Sequence, residues 1–393
     1  MFGITGRKRH FSKGRSLSPF LFPIAVKILI APDKFKGSLS ANQFCEIAKS
    51  ALLDNHPRFH VTTIPIADGG EGTCQLLTQL SRGEHVSVKV FDPLMREIES
   101  GYGISGNTAF IEMALASGLE LLKPTERNCS ITSTYGTGQL IKHALDAGIS
   151  NIVLGIGGSA TNDAGTGMAK ALGYRLLSIT GSDLEGIGAN LIHLDQIDST
   201  ASHSGIKKTH FTTLCDVTNP LHGQNGAAYV FAKQKGATDE EIKLLDKGLK
   251  HFEKLALQMG CDLRFRGAGA AGGLGAGTKL FLNATIQRGI DFIIDFTRLE
   301  TKIQESDLVI TGEGKLDKQT LSGKAVSGVA ALAKKHGKHL IVVCGACHLS
   351  VEQTKAMGIS QVIVLQEDAQ SKMQAMLNAA DALKNKIAQL KLG

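Results

Sequence analysis

The residues of this chain best suited to chemistry are acids, lysines and small polar side chains set among glycines. In Asn151-Ile-Val-Leu-Gly-Ile-Gly-Gly-Ser-Ala-Thr-Asn-Asp163 an apolar run opens directly into small and polar residues. Gly155, Gly157 and Gly158 permit positive φ and close backbone approach, so several N–H groups can face one phosphate or carboxylate. Ser159, Thr161 and Asn162 add neutral hydrogen bonds, and Asp163 adds a charge at the rim. An ordinary strand-to-helix turn uses at most one capping side chain. Four adjacent polar side chains therefore predict a small anionic ligand.

Further motifs repeat this chemistry at the ends of apolar runs. After the first stand Asp33, Lys34 and Lys36-Gly-Ser-Leu-Ser40, in which Ser40 reads as a helix cap. After the second comes Asp68-Gly-Gly-Glu-Gly72, with two acids where capping would use one. After the third come Gly312-Glu-Gly-Lys-Leu-Asp317 and Gly323-Lys324. Cys215-Asp-Val-Thr-Asn-Pro220 places Asp216 where it suits metal or hydroxyl binding and equally a simple turn. Gly267-Ala-Gly-Ala-Ala-Gly-Gly-Leu-Gly-Ala-Gly277, flanked by Arg264, Arg266 and Lys279, reads as a phosphate-cradling loop. It contains G-x-G-x-x-G, but a nicotinamide-dependent dehydrogenase of a small hydroxy acid would need a strand before Gly267, where Arg264-Phe-Arg266 stands. A non-enzymatic regulator that binds small acids would need the anion loops without so many acids. No Walker A, G-x-S-x-G or H-E-x-x-H motif occurs. Acids, lysines and anion loops without a nucleophile favour phosphoryl transfer by positioning and electrostatics.

The chain that must position these residues has 393 of them, 42% hydrophobic, enough for two cores. Its net charge of +7 includes Arg7, Lys8, Arg9, Lys13 and Arg15, and without those five +2 remains. A nucleic-acid partner thus has no support outside that stretch, and no apolar run reaches the roughly 20 residues that span a bilayer. Residues 1–24 read as a disordered basic leader without a secretory apolar segment. Seven widely spaced cysteines fit a reduced, cytoplasmic protein, and Cys344-Gly-Ala-Cys347-His348 reads as the end of a strand.

Strand and helix signals alternate at both ends of the chain. Strands are expected at 27–31, 61–66, 307–311, 340–343 and 361–365, and helices from Ser40, over 326–333 and at the C-terminus. In the last helix Met373, Met376, Leu377, Leu383 and Ile387 read as core. Short runs at 85–91, 98–104 and 109–113 suggest hairpins; strands at 151–156 and 211–215 and a helix over 238–259 follow. The expected architecture is α/β: a Rossmann-like doubly wound domain of residues 25–80 plus 285–393, interrupted by an inserted α/β domain of residues 81–284. Ligands then sit outside the carboxyl ends of the strands, where the motifs lie.

Six motifs, in order, resemble the type 1 glycerate kinases: Ala31-Pro-Asp-Lys-Phe-Lys-Gly-Ser-Leu-Ser-Ala41, Ala67-Asp-Gly-Gly-Glu-Gly72, Gly155-Ile-Gly-Gly-Ser-Ala-Thr-Asn-Asp163, Cys215-Asp-Val-Thr-Asn-Pro-Leu221, Gly267-Ala-Gly-Ala-Ala-Gly-Gly273 and Ile310-Thr-Gly-Glu-Gly314. The resemblance implies ATP-dependent phosphorylation of D-glycerate to 2-phosphoglycerate, with ATP and Mg²⁺ as cofactors and a homo-oligomer allowed. Two departures are Thr134 where serine is expected and Gln139 where glutamate is usual. On this reading Asp68 or Asp163 accepts the proton of the 2-hydroxyl. Lys36 and Lys324 neutralise phosphate charge, and Asp216 or Glu313 binds Mg²⁺. Asp33, Glu71, Ser159, Thr161 and Asn162 contact the substrate. Gly157, Gly158, Gly269, Gly272, Gly273 and Gly312 hold nucleotide phosphates.

Overall fold

A computed structural model describes residues 26–67, 70, 72–318, 320–322, 325–365 and 372–390. The leader, Asp68, Glu71 and Lys324 lie outside them. The first strand, β1 (Lys27–Ile30), is buried on both faces, as an unbroken apolar run in a parallel sheet should be. β2 (His60–Thr63) follows the helix Ala41–Asn55, whose N-terminus Ser40 and Gln43 close in a reciprocal capping box. β3 (Glu84–Phe91), β4 (Glu97–Ser105) and β5 (Thr108–Glu112) form the expected antiparallel hairpins. β6 (Asn151–Gly155), the two-stranded β7 (Arg175–Ser178) and β8 (Leu194–Asp198), β9 (His210–Leu214) and β10 (Thr285–Gln287) come next. β11 (Leu308–Leu316), β12 (His339–Cys347) and β13 (Gln361–Val364) complete the set.

Two larger sheets result. One, in the order β13-β12-β11-β1-β2, is parallel throughout and draws its strands from both ends of the chain. The other, β10-β9-β6-β5-β4-β3, is parallel from β10 to β5 and antiparallel beyond. Phe110, Val153 and Leu214 of the second sheet share an apolar cluster with Leu29, Val309 and Val342 of the first, so the two pack together. Helix Asp239–Gln258 covers the second sheet's core with Ile242, Leu245, Leu249 and Phe252, and Asp239, Glu240 and Glu241 complement the positive end of its dipole.

Three details differ from expectation. β11 and β12 run on to Leu316 and Cys347, pairing Glu313 with Cys344 and Leu316 with Cys347, so the glycine-rich residues 312–316 extend a strand instead of forming a loop after it. Gly312, Glu313 and Leu316 are buried there, and the ribbon stays paired beyond the end of β1. The helix Thr73–Leu80 lies on the second sheet, where the Cys74 thiol donates to the Ile111 carbonyl. In the C-terminal stretch Leu383 and Ile387 are core, but Met373 and Leu377 are 74% and 78% exposed, because the helix breaks at Asn378 between Leu377 and Ala379.

Candidate active site

The turn after β1 is held by its neighbours: the Asp33 N–H donates to the Gly312 carbonyl of β11 (2.8 Å), and Phe35 stacks on Phe44 at 5.4 Å. Asp33 is buried and accepts the Lys34 N–H at 2.7 Å, whereas Lys36 is exposed. This turn lines a cleft of about 560 Å³ whose other wall includes Ile66, Ala67, Gly72 and Gln75. Ala67 and Gly72 bracket the segment that carries Asp68 and Glu71. Gly72 in turn donates its N–H to both carboxylate oxygens of Glu112, at 2.8 and 3.0 Å, at the end of β5. The turn after β1 and the residues flanking the acids after β2 thus open on one cleft, beside the carboxyl end of a strand from the second sheet.

The loop after β6 is fixed largely by residues distant in the chain. Asp163 is fully buried, and its oxygens accept the Thr134 N–H (2.8 Å) and hydroxyl (2.7 Å) and the N–H groups of Gly165 (3.1 Å) and Gly167 (3.2 Å). Burial pushes its pKa up, while these four donors pull it down. Three of the four bonds fall on Oδ2 and one on Oδ1, and with both oxygens hidden the carboxylate's evident role here is to hold the loop. Ser159 and Thr161 are anchored by Lys235, whose ammonium donates to Ser159 Oγ (2.6 Å) and the Thr161 carbonyl (2.8 Å). The Thr132 hydroxyl holds the Ala160 carbonyl at 2.9 Å. Asn162 is 1% exposed, and its amide N and O and the Thr161 hydroxyl are buried without a partner. Such orphans are rare and costly in folded proteins, and a ligand would relieve them. Gly157 and the exposed Gly158, with φ of 77°, lie at the loop's outer turn.

The 267–277 glycines serve packing. A Cβ on Gly269 would lie 2.1 Å from the Pro220 carbonyl oxygen, and one on Gly272 2.1 Å from that of Thr161. On Gly273 it would meet Ala164 Cα at 3.0 Å. The segment abuts the 161–165 backbone at Gly272 and Gly273 and the Pro220 carbonyl at Gly269, so each of these glycines has a packing reason. Residues 261–266 form no strand, which removes the dinucleotide fingerprint. Gly272→Ala, at φ 67° and in that clash, is expected to cost about 2 kcal/mol, read as a lower urea midpoint. Gly312 is likewise a strand residue pressed between the Val343 carbonyl and the rings of Phe35 and Phe44. Asp216, exposed at the end of β9, accepts the Gly289 N–H at 3.0 Å, and Glu313, largely buried, accepts the Thr320 hydroxyl at 2.6 Å.

Comparison with known proteins decides the family. The glycerate kinase family model matches residues 28–391. The chain belongs to the glycerate kinase family. It is 41% identical over 341 residues to glycerate 2-kinase of Escherichia coli, covering 86% of this chain and 90% of that one. It is 44% identical over 325 residues to a glycerate kinase of Bacillus subtilis, covering 82% and 85%. A crystal structure of a protein assigned as glycerate kinase 2 from Salmonella typhimurium LT2 superposes with a TM-score of 0.84 at 40% identity, covering 93% of this chain and 97% of that one.

This glycerate kinase family member keeps hydrogen bonds at both departures noted above. The Thr134 hydroxyl bonds Asp163 and accepts the Met168 N–H (2.9 Å), tasks a serine could share, and Gln139 Oε1 accepts the Phe91 N–H at 2.7 Å. Two residues of this kinase site escaped the motif reading. Glu112 had a signal, a lone charge inside Ala109-Phe-Ile-Glu-Met113. Lys235, in Phe231-Ala-Lys-Gln-Lys-Gly236, had none, since a second lysine two residues away makes the stretch look solvated.

Proposed function

We propose that this chain transfers the γ-phosphoryl group of ATP to the 2-hydroxyl of D-glycerate. One observation carries the reading: the acid-and-lysine turn after β1 lines the same cleft as Ala67 and Gly72, the residues that flank Asp68 and Glu71 in sequence. Membership of the family supports it, as does the name of the Escherichia coli relative. In this scheme Asp68 accepts the hydroxyl proton, and Lys36 and Lys324 offset phosphate charge. Asp33 and Glu71 orient the substrate, as do Thr161 and Asn162 through their unpartnered polar atoms. Mg²⁺ takes oxygen ligands and in kinases needs only one or two carboxylates beside the phosphates; Asp216 and Glu313 fit that donor set. When bound, it would neutralise charge on the nucleotide's phosphates.

Sheet membership supports a division into a discontinuous domain and an inserted one, with helix Thr73–Leu80 and β10 on the inserted side, so the boundaries fall near 72 and 288 in place of the expected 80 and 285. Purified protein given D-glycerate and Mg-ATP is expected to release ADP and form 2-phosphoglycerate, identified by phosphorus NMR. Exclusive formation of the 3-phospho isomer, or no glycerate-dependent ADP, would sink the proposal.

A further inference from the structure

Lys235 is 3% exposed, an unusual place for an ammonium group, and its two hydrogen bonds go to a hydroxyl and a carbonyl and not to a carboxylate. It ends a short helical stretch, Lys233–Lys235, and the following Gly236, at φ 89°, lies against the Arg127 backbone, where a Cβ would sit 1.9 Å from the carbonyl oxygen. The Cys129 N–H donates to the Lys235 carbonyl at 3.1 Å. The side chain is thereby directed under the loop that follows β6. Its bonds to Ser159 Oγ and to the Thr161 carbonyl fall on either side of Ala160, whose N–H and carbonyl are held by the Ser117 carbonyl and the Thr132 hydroxyl. Beyond Thr161 stand the orphaned atoms of Asn162, then Asp163, locked by its four donors. Every residue from 159 to 163 except Asn162 is thus tied down, and Lys235 supplies two of the ties.

We propose that Lys235 is a positioning residue of the phosphotransfer site, whose ammonium sets the 159–163 backbone so that the Thr161 hydroxyl and the Asn162 amide face the ligand. This rests on the reading of that loop as part of a glycerate-phosphorylating site. Charge matters because charge-assisted bonds are roughly twice as strong as neutral ones. Burial pulls the Lys235 pKa down to about 8, against the pull of Cys129 and Asp163, which raise it. Those are the titratable groups facing it; Glu241 stands further out, bonded to Asn128 and Ser130.

The pH dependence has a distinctive sign. Because the folded-state value lies below the ordinary 10.5, the folded protein releases this proton first. The site's contribution to folding stability therefore rises with pH between about 8 and 10.5, while the loop's two bonds weaken over the same window. Turnover should fall as stability from this site rises, which a purely structural lysine would not produce.

The test compares wild type, Lys235→Met and Lys235→Arg between pH 6.5 and 9.5. Steady-state kinetics with D-glycerate and Mg-ATP is paired with hydrogen exchange of peptides spanning 157–165, corrected for intrinsic rates. At pH 7, Lys235→Met is expected to lose at least about tenfold in kcat and to expose those amides. Lys235→Arg should recover most of the turnover and abolish the alkaline fall near pH 8. Wild-type kcat in a folded Lys235→Met, unchanged exchange in it, or an alkaline fall that persists in Lys235→Arg would each overturn the proposal. If Lys235→Met does not fold, wild type decides: amide protection equal at pH 7 and 9.5 overturns it, and protection lost at the higher pH supports it. If no variant, nor the wild type, phosphorylates glycerate, the functional reading fails, while exchange still tests what Lys235 does to the loop.

Discussion

Asp68→Asn is expected to lower kcat by about 10²-fold or more while leaving the melting temperature nearly unchanged. The substitution keeps the size of the side chain and much of its hydrogen bonding but removes the charge that accepts a proton. Its neighbours Ala67 and Gly72 line the cleft, so the loss should fall on turnover before stability. Steady-state kinetics across substrate concentrations, with a thermal melt of the same sample, reads both. Near-normal turnover would remove Asp68 as the base. The candidates left would be Asp33, which lines the cleft, Glu71, and the enclosed Asp163.

Asp163→Ala is expected to act in the opposite way, destabilising the fold by about 4 kcal/mol. It strands the N–H groups of Thr134, Gly165 and Gly167 and the Thr134 hydroxyl in a buried site, and it takes from Lys235 a negative neighbour. Urea unfolding followed by circular dichroism measures the shift. A variant as stable as wild type, with turnover alone reduced, would return Asp163 to the chemistry.

The strands were legible because buried parallel strands are unbroken apolar runs, as at Lys27–Ile30 and Asn151–Gly155, and because the antiparallel β3 alternates valines with polar residues. The 311–316 segment was misread because two glycines in six residues imitate a turn. Only the register against β12 shows that Gly312 is needed where the Phe35 and Phe44 rings close in. Glycines at 269, 272 and 273 carry a packing demand that the sequence hides: a residue chosen so that two backbones can touch looks, in one dimension, like a residue chosen so that a phosphate can. Asp163 and Lys235 were beyond reach for a different reason. Whether a charge meets ligand, solvent or buried amides depends on segments distant in the chain, here Thr134 and Ser159, and no local spacing encodes it.

The contact between Gly72 and Glu112 carries a mechanical consequence. At one end of the segment bearing the two acids, the Ile66 N–H is bonded to the Pro32 carbonyl beside the first sheet; at the other, Gly72 is clasped by the second. Those two bonds stand six residues apart in sequence, so the chain crosses from one sheet to the other on a short tether, and the two sheets are fixed against each other beside the cleft at Ile66 and Gly72.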